Sequence, residues 1–335
     1  MPTVLIVAGT QVTTSDLHLL FHRAFEAVGW RSVFVSHDSH LPPGEQVLLQ
    51  SGLAGSRLHG ALFDRRLRRV AREVRPELVL INGSNWYLGP DIVRHLQSRH
   101  GCQVVLNEQH LQVFQPHQAA CLPLYDHVFA QDGGLVALLR ASSPVRGASL
   151  LGPACDPREH RPLALTPEEQ AEYGADVCYL GWAYPHRIEL FEALDGVDMK
   201  LWGLGWDASE KLRPFFRPEP VFGLKKTKIY NATRVNVNVQ STHYQLDGVT
   251  CRPFEVAACG GFCLAEPRRD LQRFFRIGDE MVVFEDAADL KARIAYYLAH
   301  EEERREIAAR ARARVLAEHT YEHRVRQVLQ VLRLD

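Results

Sequence analysis

The chain has 335 residues, 46% hydrophobic and 24% charged, the proportions of an ordinary globular protein with material for two domains. Lys and Arg number 39 and Asp and Glu 40, so the formal net charge is −1 and neither nucleic acid nor an anionic membrane is expected as main partner. No apolar run approaches the roughly 20 residues of a membrane span. The seven cysteines are odd in number, scattered and without a CxxC pair, which reads as reduced thiols in a cytoplasmic protein.

Residues 3–8 read as a first strand, 9–14 as a polar loop, and 31–36 as the next strand. Between them Ser15 or Asp16 caps a helix to about residue 28, with Leu17, Leu20, Phe21 and Phe25 on one face. The β-loop-α-β order opens a doubly wound sheet. The loop carries one glycine and no GxGxxG fingerprint. Gly9 and Thr10 either face a ligand, since such loops lie at the carboxyl ends of the strands, or belong to an ordinary connecting loop. A helix over 58–74 has an arginine-rich outer face, the usual sign of a solvated surface. A strand over 78–82 runs into Gly83-Ser84-Asn85-Trp86-Tyr87, where Asn85 and Trp86 offer polar and aromatic contacts. A strand over 103–106 runs into Asn107-Glu108-Gln109-His110, a candidate acceptor or catalytic site in which Glu108 and His110 carry the chemistry. For His110, a hydrogen-bonded loop histidine is the plainer alternative. Further elements over 90–100, 127–130, 132–141 and 147–151 complete an α/β domain at residues 1–152.

Residues 153–170 are rich in proline and charge and read as a linker. A second α/β series occupies 171–318, with strands over 177–180, 199–202, 235–240 and 281–284. Helices are expected over 187–194, 225–231, 287–298 and 301–318. A terminal amphipathic helix falls in 319–335, with Val325, Val328, Leu329 and Leu332 at helical spacing.

The stretch 247–266, DGVTCRPFEVAACGGFCLAE, is the most informative. Asp247 or Thr250 can cap a helix from Arg252 to Cys259 that stops at Gly260-Gly261. A helix start beside Gly248, Val249, Thr250 and Arg252 is a ready anion site. Two carboxylates, Asp247 and Glu255, lie eight residues apart. Gly203 at a strand end permits close backbone approach or a simple turn, and His243 lines either a pocket or a surface loop.

An ordered series of motifs carries a resemblance: GWAYPHR at 181–187, LWGLGW at 201–206, KIYNATRVNVNV at 228–239, DGVTCRPFEVAACGGFCLAEPRRDL at 247–271, and a charged tail over 281–325. From about residue 177 onward the chain resembles the CgeB-like (spore maturation protein type) branch of the group 1 glycosyltransferases. The resemblance implies the GT-B fold: two Rossmann-like domains facing across a cleft, with the final helix crossing back to the first. By the same resemblance the C-terminal domain binds a nucleotide-diphosphate sugar, such as a UDP-sugar, and the N-terminal domain an acceptor. Related retaining enzymes carry two glutamates with seven residues between them. Here the first is Asp247, set at the sugar, and the second Glu255, set at the ribose. Arg187 and Arg252 resemble the cations that meet the diphosphate. Gly181, Gly203, Tyr230 and His243 fall on the donor side, and Gly9, Thr10, Asn85 and Trp86 on the acceptor side. No DxD loop and no His/Cys ligand set is present, so no metal cofactor is expected. Two other functions fit the same pattern: a nucleotide-sugar-binding protein with weakened catalysis, and a GT-B-fold sugar-nucleotide epimerase.

Overall fold

The computed structural model describes residues 1–8, 15–36, 57–83, 88–108, 114–240 and 245–335; the side chains of 15–17, 57–59 and 117 are not included. Two compact units emerge: Met1–Gly152 with Thr242–Gly248 and Tyr321–Asp335, and Pro153–Ser241 with Val249–Thr320.

The first unit is built on β1 (Thr3–Ala8), β2 (Arg31–Ser36), β3 (Leu78–Asn82), β4 (Gln103–Glu108), β5 (His127–Ala130) and β6 (Ala148–Leu150). They form a parallel sheet in the order β2-β1-β3-β4-β5-β6. Runs such as Val4-Leu5-Ile6-Val7 and Leu78-Val79-Leu80-Ile81 are buried on both faces, as a parallel strand between helices must be. The chain goes outward from β1 to β2, then returns to the other side of β1 as β3. The strand order therefore reverses between β1 and β3, where open α/β sheets place their ligands. The helix Tyr321–Leu332 belongs to this unit. Its Tyr321 ring meets Phe21 edge-on at 5.3 Å, Arg324 Nε donates to the Gly152 carbonyl at 2.7 Å, and Gln327 Nε2 to the Leu150 carbonyl at 2.8 Å.

The second unit repeats the plan. Its strands are β7 (Val177–Leu180), β8 (Met199–Trp202), β9 (Phe216–Arg217), β10 (Val235–Asn238), β11 (Cys263–Ala265) and β12 (Val282–Val283). They are parallel in the order β12-β11-β10-β7-β8-β9, so here the reversal lies between β7 and β10. Val235, Val237 and Val239 join the hydrophobic core, while the alternate residues of the same run, Asn236, Asn238 and Gln240, are buried polar groups.

Two expectations are corrected. The stretch 153–170 is no free linker: Asp156 and His160 are buried, Cys155 bridges to Thr320, and Thr166 with Glu169 forms a capping box on the helix Pro167–Tyr173. Nor does a side chain cap the helix Arg252–Ala258, whose N-cap is Cys251. Pro253 fixes φ and lacks a donor in that first turn, so the start needs less capping. Thr250 instead turns to β10. The expected cap at Ser15 or Asp16 lies outside the described side chains. No helix among the described residues is long and apolar enough to cross a membrane.

Candidate functional site

At the reversal of the second sheet, the loop after β7 leads into the helix Pro185–Glu192, with Pro185 in its first turn. Arg187 lies in that turn, only 3% exposed. Its Nη1 donates to the Trp182 carbonyl at 3.0 Å and Nη2 to the Val239 carbonyl at 3.2 Å. Its guanidinium lies over the Tyr184 ring at 4.8 Å and the Tyr179 ring at 5.4 Å. Arg252 reaches the Tyr179 ring too, at 5.8 Å. No carboxylate pairs with either arginine among the described residues. Burial lowers the Arg187 pKa, and the neighbouring charge of Arg252 adds to that pull. At Arg252 burial also pulls downward, but Tyr179, Tyr230, Cys251 and Glu255 outweigh it and the pKa is raised.

Two amides complete the cluster. The Asn238 carbonyl oxygen accepts from the Thr250 hydroxyl at 3.0 Å, and the Gln240 carbonyl oxygen from the Thr250 N–H at 3.1 Å. Each amide nitrogen is thereby turned away from Thr250. Asn238 Nδ2, Gln240 Nε2 and Arg187 Nε are buried without a hydrogen-bond partner among the described residues. Three buried donors and a second guanidinium thus meet no acceptor. Buried polar groups are normally satisfied, and an anion oxygen would answer these.

Gly181 and Gly203 hold the adjacent loops together. A Cβ at Gly181 would lie 2.7 Å from the Tyr179 hydroxyl and 3.0 Å from Arg252 Nη2. At Gly203, whose φ is +121°, a Cβ would lie 2.3 Å from the Gly181 carbonyl oxygen. The close approach that Gly203 makes here is to the Gly181 backbone.

Glu255 lies on the helix Arg252–Ala258, 2% exposed. Lys226 Nζ donates to Oε1 at 2.9 Å and the Tyr230 hydroxyl to Oε2 at 3.2 Å, with His160 Nε2 3.7 Å from Oε1. Burial alone would raise the carboxyl, but Lys226, His160 and hydrogen bonds from Lys226 and Cys251 overcome it and bring the pKa to about 2. Glu255 is therefore an anion at neutral pH. Val249 is fully buried.

Asp247 and Gly248 group with the first unit. There the Asp132 carboxylate accepts from the N–H groups of Leu246 at 2.6 Å, Asp247 at 3.2 Å and Gly248 at 3.0 Å. It also caps the helix Gly133–Ser142 through the Leu135 N–H at 3.0 Å. Glu108 closes β4 as a buried residue. Gly9, Thr10, Asn85, Trp86, His110 and His243 lie outside the described residues. Sequence reasoning missed Asn238, Gln240, Lys226 and Asp132. Only Asn238 and Gln240 left a signal: polar residues at period two in a strand between apolar neighbours. Among the described residues no three His, Cys, Asp or Glu side chains converge as metal ligands would.

Two doubly wound parallel six-stranded sheets make up the GT-B fold, and the solved structures agree. Sucrose-phosphate synthase from Thermosynechococcus elongatus matches with a TM-score of 0.70 and 15% identity, covering 99% of this chain and 98% of that one. HepE from Anabaena, in complex with UDP-glucose, gives 0.66 and 11% identity over 99% of each chain. A glycosyltransferase from Rickettsia africae gives 0.67 and 11% identity over 98% and 97%. At these identities the likeness is one of fold. Residues 187–330, a little under half of the chain, match a family model described as Glycosyl transferase-like. No curated protein matches the chain.

Proposed function

We propose that the protein is a glycosyltransferase that moves a sugar from a nucleotide diphosphate to a hydroxyl acceptor. The observation that carries this reading is the set of unanswered donors at the β7/β10 reversal: Arg187 Nε, Asn238 Nδ2 and Gln240 Nε2, with Arg252 beside them. A diphosphate supplies acceptors in that number and charge. As the glycosidic bond breaks, negative charge grows on the leaving diphosphate, and fixed cations and amides favour that state over the ground state. No metal is required in this reading. Glu255 receives a ribose hydroxyl, since an ionised carboxylate has about four acceptor sites and Lys226, Tyr230 and Cys251 take one each. Tyr230 and the Gly181 and Gly203 loops flank the nucleotide. Asp247 and His243 meet the transferred sugar, and the segment Gly248 to Thr250 delivers backbone groups to it. Glu108 and His110 stand on the acceptor side with Gly9, Thr10, Asn85 and Trp86. The motif order supports a CgeB-like, retaining enzyme, and the UDP-glucose held by HepE makes a UDP-sugar the first donor to try. A cytoplasmic location fits seven free thiols, none in a disulfide.

The test is thermal stabilisation by UDP, GDP and dTDP and their sugars, followed by assays of hydrolysis and transfer. One nucleotide class should raise the melting temperature. Arg252→Gln, which removes a guanidinium with no hydrogen-bonded partner among the described residues, should leave the unliganded melting temperature within a degree or two. It should weaken binding by roughly tenfold to a hundredfold. The reading is overturned if no nucleotide stabilises the protein, or if the variant binds as well as the parent.

A further inference from the structure

The other sheet carries buried amides of its own. Ser36, Ala8, Asn82, Asn107, Phe129 and Ser149 stand in register across β2, β1, β3, β4, β5 and β6 near the carboxyl ends. Asn82 and Asn107 are neighbours in that row, and the small Ala8 adjoins them at the β1/β3 reversal. Asn107 Nδ2 donates to Asn82 Oδ1 at 2.7 Å. With its oxygen so engaged, Asn82 presents its nitrogen to His18 Nδ1 at 3.0 Å. His18 Nδ1 is then the acceptor, and in the neutral ring the proton resides on Nε2. All three side chains are buried. The two ends of the relay, His18 Nε2 and Asn107 Oδ1, have no hydrogen-bond partner among the described residues.

We propose that this relay is a binding subsite for a neutral hydroxylated ligand, a sugar or polyol, in the first unit. The chemistry selects the class. His18 Nε2–H offers a donor and Asn107 Oδ1 an acceptor, and hydroxyls, which both donate and accept, answer either end. A phosphate or carboxylate would face the Asn107 oxygen, and an ammonium would face the His18 N–H. Burial holds His18 at a pKa of about 4, so the ring stays neutral. It binds the ligand oxygen and takes no proton. Naming this the acceptor subsite rests on the transferase reading; the binding itself does not.

The experiment uses the full chain labelled with ¹⁵N-histidine. The His18 Nε2–H resonance is followed while methyl α-D-glucopyranoside and, separately, myo-inositol are added, with inorganic phosphate and acetate as charged controls. A saturable shift is expected with at least one polyol and none with the anions. Asn107→Leu should weaken that binding tenfold or more. If this variant does not fold, the wild-type titration decides alone. The proposal is overturned if neither polyol moves the resonance, or if its only partner is a slowly exchanging internal water that polyols do not displace. Stabilisation by UDP, GDP and dTDP is read on the same samples. Response to one of these nucleotides without response to polyols sinks this inference and spares the donor site; response to polyols with none of the three nucleotides does the opposite.

Discussion

Glu255 shows how a buried charge can be a source of stability and carry a pH signature. Its folded pKa, about 2, lies below the ordinary value of 4.5, so the unfolded chain binds the proton more readily. The stability it contributes is present above about pH 4.5 and is lost as the pH falls toward 2. The size is on the order of 3 kcal/mol. Urea unfolding at pH 7 and pH 3 should show the parent losing more stability between the two than Glu255→Gln; parallel losses would dismiss the account. At this scale the sequence was partly legible. Glu255, Arg187 and Arg252 stand out because charges within apolar runs need a reason. Lys226 and His160 do not, because their only distinction is to reach Glu255, and sequence separations of 29 and 95 residues hide that.

Among the elements, the segment preceding the helix Arg252–Ala258 depends on one carboxylate from far away. Asp132 takes three successive N–H groups from residues 246–248 while capping its own helix. Gly134 makes the approach possible: a Cβ there would lie 2.8 Å from Leu246 Cβ. Asp132→Ala should cost about 2–4 kcal/mol, combining a lost cap with hydrogen bonds to a charged group. Amide exchange at 246–248 should accelerate before any other part of the first unit. Unchanged exchange there would refute the clamp. Periodicity and turn chemistry predicted the strands and most helices, because each rests on local apolar patterning. The clamp, the pairing of Asn82 with Asn107, and the burial of residues 154–156 and His160 are products of strand order and register. None of them leaves a mark on a local window of sequence.

For the whole molecule, the telling fact is that the first unit is discontinuous. Tyr321, Val325, Val328, Leu329 and Leu332 are buried within it. Their burial contributes on the order of 10 kcal/mol, an upper estimate, against a usual domain stability of 5–15 kcal/mol. A chain ending at residue 320 is therefore expected to lose the cooperative unfolding of the first unit while the second unit keeps its own. Calorimetry or proteolysis would tell them apart, and a truncated chain with an intact first transition would contradict the assignment.

That placement of the last helix also bears on how the protein is made. A ribosome releases residues 1–152 long before residues 321–335 exist. The β1 sheet must wait, with the apolar side of the Ser15–Ala27 helix uncovered, while the whole second unit is synthesised. The second unit can finish as soon as residue 320 emerges, so the half made later is able to mature first. The nascent first half is then the part that needs shelter from aggregation, and arrival of the final helix is the event that ends that need.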